Sequence, residues 1–206
     1  LGDFYSSSQS HIMDGGAYLE HLRQEQKINQ LILIRPDLGL EEAAAETLAI
    51  VGAALESSAD EVKDRVAQGL IVEGHGDLRP EHVFLLHPPQ IIDCLEFNRS
   101  MRLLDPYDEV NYLGIECEML GADWVRPLLL QILKGKLGNA PSPQFMAMIS
   151  GFRGLLRARL SIAHFLEGEV RQPEKWRPLA IKYLEFAKAQ CLSLQIPANR
   201  KSSHAC

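Results

Sequence analysis

The sequence predicts an α+β fold that is mainly α-helical, with one β-hairpin inserted after the third helix. Three observations lead there. Long stretches on both sides of the middle repeat apolar residues at three- and four-residue steps. Only HVFLL (82–86) and QIIDCL (90–95) shorten into β-rich runs, with His87-Pro88-Pro89 between them as a turn. Pro36 with Gly39 and the loop NAPSP (139–143) mark clear breaks between helical stretches.

The elements follow in order. AYLEHLRQEQKINQLILI (17–34) carries Leu19, Leu22, Ile28, Leu31 and Leu33 and reads as a helix that Pro36 and Gly39 end. EEAAAETLAIVGAALESS (41–58) sets Ala44, Leu48, Val51 and Leu55 on one face. Ser58 and Glu61 have capping-box spacing ahead of a short helix with Val62, Val66 and Leu70 on one side. After the hairpin, DEVNYLGIECEMLG (108–121) reads as a helix with Asp108 as N-cap and Gly121 just past its end. The helix at 123–138 holds Pro127 in its first turn, where the missing N–H costs nothing. The loop NAPSP (139–143) precedes the longest helix, 143–168, with Phe145, Met148, Ile149, Phe152, Leu155, Leu156 and Phe165 inward. The last helix, 172–194, starts at Pro173 and carries Trp176, Leu179, Tyr183 and Phe186 as core residues. Residues 1–195 are expected to form one lobe and 196–206 a polar tail.

With 206 residues, 46% of them hydrophobic, the chain can bury a substantial core. A formal net charge of −6 leaves no excess of cations to neutralise phosphates, which argues against general nucleic-acid binding. No apolar run approaches the roughly 18 residues a membrane span needs. Cys94, Cys117, Cys191 and Cys206 match no zinc or redox spacing and are expected to be reduced thiols in a cytoplasmic protein.

Chemistry gathers at the hairpin. Asp77 lies in a loop shaped by Gly74, Gly76 and Pro80, His82 opens the first strand, and Asp93 lies at the end of the second. In an antiparallel pair with a tight turn, positions 82 and 93 fall together at the open end. A carboxylate able to accept a proton, beside a carboxylate and an imidazole able to hold a cation, is what phosphoryl transfer needs. Glu96 and Asp105 read as capping or ion-pairing carboxylates. Arg153, Arg157 and Arg159 read as a solvated face with one buried ion pair.

His75-Gly76-Asp77-Leu78-Arg79-Pro80-Glu81-His82 follows the frame of the protein-kinase catalytic loop, H-R-D-L-x-x-x-N. The glycine after the histidine resembles the aminoglycoside and choline phosphotransferases. HGDLRPEH, IDCLEFN, LLDPYDE, ECEMLGA, FRGLLRARL and KWRPLA, in this order, resemble the aminoglycoside-phosphotransferase-like domain of a bacterial group. In that group the domain is sometimes fused to a P-loop ATP-binding domain. The resemblance covers roughly residues 15–190 and implies a kinase-like C-terminal lobe with an inserted catalytic hairpin. It implies Asp77 as catalytic base, His75 as a loop residue bonded to backbone, and Arg79 as a phosphate or substrate contact. Asp93, with His82 beside it, would hold Mg²⁺ or Mn²⁺ on ATP, and the acceptor would be a small-molecule hydroxyl.

The chain departs from that pattern at three points. His82 stands where the family has Asn, and imidazole suits Mn²⁺ or Zn²⁺ better than Mg²⁺. Asp93-Cys94-Leu95 replaces Asp-Phe-Gly and adds Glu96. No glycine-rich phosphate loop and no lysine-bearing strand precede the catalytic loop, so the expectation is the C-terminal lobe without the ATP-gripping lobe. A catalytically silent binding or regulatory module, and a metal-dependent hydrolase using Asp77, His82, Asp93 and Glu96, are the alternatives.

Overall fold

The computed structural model describes residues 1–8 and 10–195; the polar tail expected at 196–206 lies outside the described residues. The fold is α+β and mainly helical. Four helices come first: α1 (Gly2–Ser7), α2 (Gly15–Leu33), α3 (Glu41–Ser57) and α4 (Ala59–Ala67). The middle holds β1 (Val72–Glu73), β2 (Val83–Phe84), β3 (Gln90–Ile91) and β4 (Leu103–Leu104). Four more helices follow: α5 (Pro106–Met119), α6 (Val125–Leu137), α7 (Pro143–Ala163) and α8 (Pro173–Gln195). The chain groups into two compact units, one of Leu1–Leu19 with Asp60–Ser142, the other of Glu20–Ala59 with the described residues that follow Ser142.

In the second unit α3, α7 and α8 pack on one another. The expected apolar face of α3 is the buried one: Ala44, Leu48, Val51 and Leu55 are all core. Gly151 and Gly154 bring α7 close to its neighbours, since a Cβ at Gly154 would stand 2.9 Å from Ala187 Cβ. Tyr183 and Phe186 are core as expected. Trp176 instead lies half-buried, its ring stacked on His164 at 3.8 Å and its Nε1 donating to the Arg171 carbonyl. The expected buried ion pair is Arg159 with Glu25, 2.8 Å apart. In α2 the stripe differs from the expectation. Ile28 and Leu31 are exposed, while Gln26 and Asn29 are buried and joined by a side-chain hydrogen bond of 3.2 Å.

The first unit carries the strands. The expected hairpin forms but is shorter than the runs 82–86 and 90–95, with Val83 opposite Ile91 and Phe84 opposite Gln90. A second two-stranded sheet, β1 with β4, was not expected; Val72 pairs with Leu104 and Glu73 with Leu103. Two-residue strands are too short for an alternating pattern to show. Glu73 ties this sheet to the turn before β4 through Arg99 at 2.9 Å and Arg102 at 2.5 Å.

Two expected caps are corrected. Glu61 does not close a box on Ser58; it binds the Ser142 amide at 2.8 Å and hydroxyl at 2.6 Å. Asp108 is not the N-cap of α5. That role falls to Asp105, whose side chain accepts from the Tyr107 amide at 2.9 Å, with Pro106 in the first turn. Asp105 also pairs with Arg65, and both side chains are buried. Burial pushes the Asp105 carboxyl up, against the pull of Arg65. Gly121 does end α5 as expected: it is left-handed (φ 89°), and the Ala122 amide reaches the Cys117 carbonyl at 2.9 Å. Helix α5 is buried from Pro106 to Glu116, so it is the central helix of its unit.

Candidate active site in the loop before the hairpin

The loop between β1 and β2 is fixed at its base by Leu78, which is wholly buried, and by Glu109 of α5, which is 1% exposed. Glu109 accepts from the His75 amide at 3.0 Å, from the Gly76 amide at 2.5 Å and from the Tyr5 hydroxyl. Two successive backbone amides aimed at one buried carboxylate set the course of the chain one residue before Asp77. Glycine is required here twice. Gly76 is left-handed (φ 85°), and a Cβ on Gly74 would collide with the Glu109 carboxylate and stand 3.1 Å from Leu104. Gly74→Ala should therefore destabilise the protein by about 1–3 kcal/mol, the usual cost of overpacking. Denaturant midpoints of the two proteins would check this.

His75 joins the loop to the segment that bears Asp93. Its Nε2 donates to the Ile92 carbonyl at 2.7 Å and its own carbonyl accepts from the Leu95 amide at 3.1 Å. A carbonyl can only accept, so Nε2 carries the proton, and Nδ1 is left to accept from the Asp77 amide at 3.3 Å. The expectation that His75 bonds to backbone is met.

His82 ends a short 3₁₀ turn, Pro80–His82, immediately before β2. The same reasoning gives it the opposite tautomer. Nδ1 donates to the Asp77 carbonyl at 2.8 Å, which leaves the Nε2 lone pair to accept from Arg79. That nitrogen lies 3.3 Å from Arg79 Nη2 and 3.4 Å from Asp93 Oδ2. The structure thus brings His82 and Asp93 together at the open end of the hairpin, as the spacing predicts. Asp93 itself is left-handed (φ 64°), and its side chain is 76% exposed. A non-glycine residue held in that region is a strained conformation of the kind that collects at functional sites.

Asp77 has both oxygens engaged: Tyr112 donates to Oδ1 at 3.1 Å and Arg79 to Oδ2 at 3.1 Å. Arg79 also pairs with Glu81 at 2.8 Å, so one guanidinium links three members of the loop. Arg79 is thereby a partner of Asp77 within the loop. The four-residue metal cluster that a hydrolase would need is not assembled: among the described residues no three His, Cys, Asp or Glu side chains stand close enough to hold a metal by themselves. Phe84, Leu85 and Leu86 on the hairpin are exposed beside the site.

Glu109, Tyr112 and Tyr5 are site residues that motif reading missed. For Glu109 and Tyr112 a signal existed, since Glu109 closes the DPYDE turn and Tyr112 follows it by three residues on the same helix. Nothing in the sequence around Tyr5 marks it.

No family model matches the chain, and no solved structure matches it. Among curated proteins it is similar to uncharacterized protein Rv2004c of Mycobacterium tuberculosis and uncharacterized protein Mb2027c of Mycobacterium bovis. Each is 29% identical over 106 residues, 51% of this chain and 21% of the relative. The match thus spans about a fifth of the length of these relatives. Among the described residues no helix is long and apolar enough to cross a membrane.

Proposed function

We propose that the chain is the catalytic lobe of an ATP-dependent phosphotransferase acting on a hydroxyl of a small molecule. One observation carries the reading. Asp77 and Asp93, sixteen residues apart in sequence, are tied into one unit by the His75 and His82 rings, and Asp93 is held in a left-handed conformation with its carboxylate exposed.

In this reading Asp77 orients the acceptor hydroxyl and takes its proton as the new oxygen–phosphorus bond forms and the bond to the leaving ADP breaks. Tyr112 and Arg79 hold the Asp77 carboxylate in place. Asp93 would hold a divalent cation, and the His82 Nε2, 3.4 Å from its carboxylate, would join it once Arg79 Nη2 moves off that nitrogen. Mg²⁺ on a nucleotide commonly takes only one or two protein carboxylates and completes its shell with phosphate oxygens and water, so the donor set fits. The imidazole also suits Mn²⁺. The cation screens the charge on the phosphates. The groups that grip the rest of ATP would come from outside this lobe, from an N-terminal lobe or a fused P-loop domain. Use of ATP would place the protein in the cytoplasm.

Titration of the full-length protein with Mg²⁺·ATP and Mn²⁺·ATP tests the reading. Binding tighter than about 1 mM, or about 4 kcal/mol, is expected. Loss of a charge-assisted contact should make Asp93→Ala about tenfold weaker or more. Equal affinity in the two proteins would remove Asp93 from the nucleotide site. A second reading, a catalytically silent binding module, draws support from the engagement of both Asp77 oxygens by Tyr112 and Arg79. Binding of ATP without phosphoryl transfer to any hydroxyl would favour it.

A further inference from the structure

We propose that Tyr5 is a positioning residue for the loop that carries Asp77, acting through Glu109. The proposal rests on the phosphotransferase reading for its kinetic consequence, but not for its geometry. Tyr5 is the only buried residue of α1 and is 3% exposed. Its hydroxyl donates to Glu109 Oε2, and its ring meets Phe4 edge-on at 5.1 Å. Helix α1 packs on α6 in the same unit and is pinned there by Lys136 and Asp3, 2.6 Å apart. Burial pushes the Tyr5 hydroxyl far above the ordinary phenol range, with Glu109 adding to the effect, so the hydroxyl stays protonated and donates.

Among the described residues, Glu109 takes its hydrogen bonds from the Tyr5 hydroxyl and the His75 and Gly76 amides. All three donors are neutral. A buried carboxylate in that setting depends on each of them, because a lost donor is replaced by neither water nor a cation. Without the phenol, the carboxylate is free to turn towards the space the hydroxyl leaves, and the two amides it aligns loosen with it. Asp77 is the next residue in the chain. A shift of a fraction of an ångström at a catalytic base lowers the rate without altering what binds. Tyr5 touches neither Asp77 nor Asp93, so its effect should fall on turnover and not on affinity.

The test compares wild type with Tyr5→Phe, which keeps the ring and removes only the donor, in the full-length protein. Amide hydrogen exchange at His75 and Gly76 should quicken about tenfold, while Ile115, a wholly buried residue of α5, exchanges as before. With Mg²⁺·ATP and the accepted hydroxyl substrate, kcat should fall about five- to twentyfold with KM for ATP within about twofold. Glu109→Gln keeps one oxygen for the two amides but loses the carboxylate charge and the oxygen that accepts from Tyr5, and should show the same pattern. Unchanged exchange at His75 and Gly76, or an equal rise at Ile115, would overturn the proposal. So would faster exchange with kcat intact. Absence of phosphoryl transfer by wild type would refute the phosphotransferase reading itself; the exchange comparison uses no substrate and decides the Tyr5 brace separately.

Discussion

Asp77→Asn should lower phosphoryl transfer by about 100- to 10,000-fold, the contribution of a positioned general base, with the fold intact. The amide keeps the size of the side chain and an oxygen to accept from Tyr112. What it loses is the site that takes the proton and the ion pair with Arg79. That guanidinium still has Glu81 at 2.8 Å and His82 at 3.3 Å, so the loop retains its other ties. A partly exposed pair of this kind contributes about 0–1 kcal/mol, which makes a large stability change unexpected. Steady-state transfer rates and a thermal melt, measured on the same samples, separate the two effects. A variant as active as wild type would remove Asp77 from the chemistry.

The largest stability effect is expected at Asp105. Asp105→Ala removes the N-cap of α5 and leaves the Arg65 guanidinium in a site where both side chains are buried. Leaving one member of a buried pair uncompensated typically costs about 3–5 kcal/mol, and a lost cap adds about 1 kcal/mol. Arg65 keeps the Asn139 carbonyl at 2.9 Å, which offsets part of the loss. Asp105→Asn retains a capping oxygen without the charge and should lose less than Asp105→Ala. Because α5 carries both Glu109 and Tyr112, the loop that bears Asp77 should loosen along with it. Chemical denaturation of the three proteins gives the ranking; a loss below about 1 kcal/mol for Asp105→Ala would show that the pair contributes little.

The mainly helical fold was legible because its helices are long enough for apolar spacing to accumulate, as in α3, α7 and α8. The meeting of His82 and Asp93 was legible too, because hairpin register follows from turn length. The sheet of β1 and β4 was not, since two residues carry no period. The capping assignments failed for a different reason. Ser58–Glu61 and Asp108 fit local rules, but Glu61 found Ser142 and the turn at Asp105-Pro106 started α5 earlier. The buried Gln26 and Asn29 escaped notice because polar residues that bond to each other look, in sequence, like a solvated face. Tyr5 was illegible for the plainest reason: its partner is 104 residues away.

The central claim is that Asp77 and Asp93 form one phosphotransfer site, and transfer of radiolabelled γ-phosphate from ATP to a panel of hydroxyl compounds tests it most directly. The account predicts that the full-length protein labels at least one compound in the presence of Mg²⁺ or Mn²⁺. It predicts that Asp77→Asn and Asp93→Ala, folded as wild type, label none above background. Labelling by either variant at the wild-type rate would contradict it.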